Sequence, residues 1–139
     1  MSQAERGGMI HSRILQSGAI LAGLSVMLGA FGAHALADRV SLEDIAIWNT
    51  AARYQMYHSL ALLCLAVIPH GGGEKWRYWA ALLFLLGSLV FSGSLYLLVL
   101  TGIRGLGAVT PLGGATLIAG WTVCAIGATR LKSPASRAT

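Results

Sequence analysis

The chain has 139 residues, of which 55% are hydrophobic and 11% charged, with a formal net charge of +5 and a mean hydropathy of +0.67. A soluble domain carries about 25% charged residues, so this composition excludes one. The basic surplus gathers at the ends of apolar runs rather than on a stripe interleaved with aromatics, which argues against nucleic acid as a partner.

Four stretches carry no Asp, Glu, Lys or Arg: Ile14–Ala37, Tyr54–Gly73, Tyr78–Ile103 and Gly105–Thr129. About 20 such residues cross a hydrocarbon core of roughly 30 Å as a helix. The expected fold is therefore an all-α integral membrane bundle of four helices, up-down-up-down, with spans at about 14–37, 54–70, 78–101 and 109–129. Residues 1–13 and 132–139 are left as cytoplasmic tails, and no room remains for a catalytic domain.

Arg6 and Arg13 before an apolar run that ends Ala33-His34-Ala35-Leu36-Ala37 imitate a cleavable leader. The run is longer than the usual 7–15 residues of such a segment, so a retained first helix is expected. Ser41-Leu-Glu-Asp44 then reads as an N-cap with an acid three residues on. Leu42, Ile45, Trp48 and Ala52 follow at helical spacing. This predicts a short amphipathic helix lying at the outer surface, between the first and second spans.

His70-Gly-Gly-Gly-Glu74 forms a short turn that makes the second and third helices antiparallel neighbours. Thr101-Gly-Ile-Arg104-Gly-Leu-Gly107 is a second turn. Thr110-Pro111 opens the fourth helix, with Thr as N-cap and Pro at the first helical position. Arg6, Arg13, Lys75, Arg77, Arg130, Lys132 and Arg137 fall on one side of such a bundle. The positive-inside rule then places both termini in the cytoplasm of a multi-pass inner-membrane protein. Trp76, Tyr78 and Trp79 form an aromatic belt there.

Leu buried against Leu gains little in lipid, so association depends on close approach at small residues and on interhelical hydrogen bonds. Gly18, Gly23, Gly29 and Gly32 in the first helix, and Gly113, Gly114 and Gly120 in the fourth, are the expected packing positions. A Leu at position 29 is expected to disrupt the bundle. Cys64 and Cys124 form no CxxC pair and read as small packing residues.

The spans contain two imidazoles, His34 and His58, both placed by the topology in the outer half. Gln55, Ser92, Ser94, Tyr96 and Thr110 lie at similar depth, and together the seven form a candidate polar pocket. Three roles compete for it: interhelical hydrogen bonding, a small-ligand or proton-relay site, and bis-histidine haem ligation. Two His without Cys or carboxylate partners fall short of a zinc site. No cofactor is called for, and no nucleophile with its base, carboxylate pair or phosphate-cradling loop suggests an enzyme.

Gly29-Ala-Phe-Gly-Ala-His34-Ala-Leu36, Tyr54-Gln-Met-Tyr-His58-Ser-Leu-Ala-Leu62, Phe91-Ser-Gly-Ser-Leu-Tyr96 and Thr110-Pro-Leu-Gly-Gly114 with Gly120-Trp121 resemble the signature blocks of a family of small membrane proteins. It is catalogued as domain of unknown function four-two-three. The likeness runs from about Arg13 to Leu131. It implies four helices with a retained first span and brings no activity with it. Function is thus expected to be that of a non-enzymatic accessory, assembly or small-ligand-binding membrane protein. The alternative is a small transporter or proton relay using His34 and His58. The expected partners are the lipid bilayer, other membrane proteins or a second copy.

Overall fold

The computed structural model describes residues 3–68 and 74–129. Among these, all the regular structure is helical: α1 (Gln3–Phe31) runs on through a π-helical turn (Gly32–Leu36), followed by α2 (Leu42–Val67), α3 (Glu74–Thr101), a 3-10 turn (Arg104–Ala108) and α4 (Thr110–Ala128). Helices α1, α3 and α4 lie in segments long and apolar enough to cross a membrane: Gly7–Leu36, Lys75–Thr101 and Arg104–Ala128. Helix α2 is long enough, since 26 residues rise roughly 39 Å. Its middle, however, carries Arg53, Gln55 and His58. Gln55 and His58 are turned into the bundle and buried, so polarity along the chain does not mean polarity towards lipid. The bundle is an all-α, integral membrane one.

Two sequence expectations need correction at the ends of these helices. The stretch from Ser41 is not a separate surface helix. It is the first half of α2, because nothing between Leu42 and Val67 breaks the helix. Ser41 does cap it, accepting a hydrogen bond from the Asp44 amide at 3.1 Å. Leu42, the first residue of the expected apolar stripe, is 88% exposed. The N-terminal tail is likewise helical from Gln3 rather than from Ile14. The expected turn at residues 70–73 and the basic residues after Thr129 lie outside the described residues.

Helix α3 stops at Gly102, which has φ +72°, a left-handed conformation that glycine adopts without a Cβ penalty. Its amide closes back on the Leu98 carbonyl at 2.9 Å. Thr110 is not the N-cap of α4. Val109 occupies that position without a side-chain cap, and Pro111 sits in the first turn as expected.

The helices form an open row. Helix α1 packs on α2, α2 on α3 and α3 on α4, α1 reaches α3 only marginally, and the α4 backbone approaches neither α1 nor α2. One buried cluster lies towards the Trp76 end of the bundle, around Leu62, Trp76, Phe84 and Leu117. A second lies towards the Asp44 end, around Trp48, Tyr96 and Val99.

Glycine is used selectively. A Cβ on Gly18 would sit 3.0 Å from Leu63, and one on Gly120 would sit 2.8 Å from Phe84. One on Gly32 would collide with Trp48, and one on Gly113 with the Phe91 backbone. Gly114 makes only ordinary contact with Phe91 at 3.8 Å. Gly23 and Gly29 are the correction: a Cβ at either meets nothing within 4 Å, because that face of α1 is turned out of the row. Gly87 against Leu117 and Gly127 against Trp76 are close-packing glycines that the sequence pattern did not single out.

Candidate functional site

The polar side chains of the spans are distributed along the helix crossings rather than gathered in one pocket. Between α1 and α2, Ser25 donates to the Ala52 carbonyl at 2.6 Å, Gln55 to the Leu21 carbonyl at 2.9 Å and the Trp48 indole to the Leu28 carbonyl at 2.7 Å. Between α2 and α3, Ser92 donates to the Ala51 carbonyl at 2.8 Å. Between α3 and α4, the Ser94 and Thr110 hydroxyls meet at 2.8 Å, so Thr110 bonds across the interface instead of capping its own helix. Each of these groups would be costly to leave unpaired in hydrocarbon.

The two histidines are not brought together. His34 sits in the π turn with its side chain exposed. His58 is 5% exposed, and both of its ring nitrogens are engaged. Nδ1 lies 2.7 Å from the Tyr54 carbonyl, and Nε2 lies 3.2 Å from the Trp121 indole N–H. A carbonyl only accepts and an indole N–H only donates. The proton is therefore on Nδ1, and Nε2 is the acceptor. This neutral tautomer leaves no nitrogen free for a metal, so joint haem ligation by His34 and His58 does not fit the arrangement. The Tyr96 hydroxyl is buried with no hydrogen-bond partner, its ring 4.6 Å from that of Trp48.

The His58–Trp121 bond joins α2 to α4 across the top of an apolar groove. The groove holds about 470 Å³ and is lined by Leu60, Cys64, Trp76, Phe84, Trp121 and Cys124, among others. Helix α3 forms its floor, and α2 and α4 form its walls. Cys64 and Cys124 are free thiols on opposite walls. None of the seven expected pocket residues lines this groove or the smaller cleft between α1 and α3. Trp121 and Tyr57, which flank His58, were visible in the signature blocks. The groove itself left no trace in the sequence, because its lining has the same composition as any lipid-facing surface.

At the opposite end from Trp76, Arg104 grips Asp44 in a two-pronged ion pair, with Nη1–Oδ1 at 2.7 Å and Nη2–Oδ2 at 3.3 Å. The bonds from Arg104, then that from Ser41, hold the Asp44 carboxyl below its ordinary value, and the carboxylate raises the Arg104 guanidinium in return. The pair ties the start of α2 to the turn that leads into α4.

A family model described as "Protein of unknown function (DUF423)" matches residues 28–114, more than half of the chain. A UPF0382 membrane protein of Staphylococcus haemolyticus is 48% identical over 109 residues, covering 78% of this chain and 88% of the relative. One of Staphylococcus saprophyticus is 44% identical over 110 residues, covering 79% and 91%. The UPF0382 inner membrane protein YgdD of Escherichia coli K12 is 43% identical over 107 residues, covering 77% and 82%. No solved structure matches. The matched region holds the Gly32–Trp48 contact, the Trp48–Leu28 and Ser92–Ala51 hydrogen bonds and the Gly113–Phe91 approach, and the chain belongs to this DUF423 family of membrane proteins.

Proposed function

We propose that the protein is a non-enzymatic accessory component of the cell inner membrane that holds a transmembrane helix of another membrane protein in the α2/α4 groove. The observation that carries this reading is the open row itself. The α4 backbone packs along α3 and meets α2 through the His58–Trp121 side chains, so a 470 Å³ groove with almost no polar lining stays open on one side. Trp76, Trp121, Tyr57 and Phe84 line it, and aromatic residues of this kind dominate binding energy at protein interfaces. The non-catalytic part of the reading is supported by the use of Ser25, Gln55, Ser59 and Ser92, all bonded to main-chain carbonyls. Proton relay through His34 and His58 gains no support from an exposed His34 and a His58 whose two nitrogens are engaged.

A photo-crosslinking residue at Leu60, which lines the groove and is 48% exposed, tests the reading in intact membranes. It should capture one discrete protein species. The same probe at Val26, exposed on α1, should capture lipid. Filling the groove with Ala61→Trp should abolish the Leu60 adduct. Lipid adducts alone at both positions would end the reading.

The Trp76 end is assigned to the cytoplasm on the positive-inside rule, since Arg13, Lys75 and Arg77 lie there. In a variant lacking Cys64 and Cys124, an impermeant maleimide should label Leu42→Cys in spheroplasts and Lys75→Cys only after lysis. The opposite pattern would invert the topology.

A further inference from the structure

A second, smaller cleft opens on the other side of the row, between α1 and α3 with α2 as its floor. It holds about 140 Å³. Ile14, Leu62, Leu82 and Leu85 supply apolar walls, while Arg13 and Tyr78 stand at its Trp76 end. No carboxylate lines it, and Arg13 makes no ion pair among the described residues. Arg77 lies one residue before Tyr78. It is only 5% exposed, and its Nε has no hydrogen-bond partner. Arg77 is not part of the cleft lining, so Arg13 is its cation, and a cation at the interfacial end of an apolar cleft with no carboxylate on its lining calls for a negative charge joined to an apolar chain. Basic pockets between transmembrane helices on the cytoplasmic side suit anionic headgroups.

We propose that this cleft is a binding site for an anionic phospholipid, with an acyl chain lying between α1 and α3 and the headgroup phosphate held at Arg13 beside Tyr78. The site is separate from the α2/α4 groove and needs no protein partner. It depends on the proposed orientation only for the leaflet, which is the cytoplasmic one.

Purified protein in detergent, titrated by native mass spectrometry with phosphatidylglycerol or phosphatidylethanolamine, tests this directly. Phosphatidylglycerol should be retained more tightly, and Arg13→Gln should weaken it about fivefold, as expected for loss of one basic residue at a membrane surface. Arg13→Lys should keep most of the preference. Arg39→Gln, which removes an exposed cation near the Asp44 end, should leave it unchanged. Glycerol phosphate without acyl chains should not compete. Equal binding of the two lipids, or an Arg13→Gln variant that matches the parent, overturns the proposal. Full competition by glycerol phosphate overturns it too, by reducing the cleft to a bare anion site. None of these outcomes bears on capture at Leu60, so this proposal and the partner-helix reading fail independently.

Discussion

Helices α1 and α2 are joined by hydrogen bonds beside the close approaches at Gly18 and Gly32, whereas α3 and α4 are joined chiefly by glycine. Across the first interface Ser25, Gln55 and Trp48 each reach a main-chain carbonyl of the neighbouring helix. Across the second, Gly87, Gly113, Gly120 and Gly127 take Leu117, Phe91, Phe84 and Trp76 at contact distance, one glycine per turn or two, with Ser94–Thr110 the single hydrogen bond among the described residues. Both solutions answer the same problem. Where the solvent is as apolar as the core, helices are held by what lipid cannot match: a bonded polar group or a close-fitted backbone. The two differ in tolerance. A lost hydrogen bond costs one contact, whereas a side chain added where a backbone sits must push whole helices apart.

The sharpest test of that difference is Gly113→Ala beside Gly114→Ala. The first drives a methyl into the Phe91 backbone, while the second meets only ring atoms at 3.8 Å. Overpacking of this kind costs about 1–3 kcal/mol or more, whereas a tolerated Gly→Ala in a helix gains up to about 1 kcal/mol. Thermal unfolding in detergent should show Gly113→Ala well below the parent and Gly114→Ala at or above it. Equal curves would remove close approach as the basis of the α3/α4 interface.

On the hydrogen-bonded side, Gln55→Leu should lower stability by about 0.6–2 kcal/mol, the range for one interhelical bond in a membrane. Ser25→Ala should fall in the same range, and either change should be smaller than that at Gly113. Trp121→Phe keeps the ring and removes the N–H that reaches His58. Its stability should change little, but the walls of the groove should part more often. Maleimide labelling of Cys124 should then accelerate, and an unchanged rate would mean that the His58–Trp121 bond does not hold α4 to α2.

A smaller effect is expected at the Asp44–Arg104 pair. The folded carboxyl titrates below its usual 3.8, so its contribution is present above that pH and fades as pH falls through the lower folded value. The melting temperature of Asp44→Asn should lie slightly below the parent at neutral pH and converge with it in strong acid or high salt. The smallest effect belongs to Gly29→Leu, whose new side chain points out of the row. Monomer stability should be unaltered. A large loss would show that α1 is covered on that face, by another copy or by another protein.

Much of the architecture could be read from residue patterns. The charge-free runs marked the helices, Ser41 and Asp44 marked the start of α2, and Gly102 lay in an expected turn. The continuous α2 was also readable in principle, since no Gly or Pro separates Ser41 from Ile68. The amphipathic stretch runs straight into the second span, because charged residues such as Arg53 sit within α2 rather than at its edge. The candidate site was less legible. Counting residues places His34 and His58 at a common depth, but depth does not determine facing. His34 turns out to be exposed and His58 is bonded to Trp121, 63 positions away.

From the sequence alone follow the solvent, the helix count and their alternation, because an uncharged run of sufficient length has few other options in a bilayer. The rotation of each helix about its axis came only from the tertiary structure. Core and lipid are equally apolar, so no hydrophobic periodicity records which face is inside. That rotation decides that Gly113 packs and Gly29 does not, that Gln55 meets a carbonyl, and that two apolar clefts are left between non-adjacent helices.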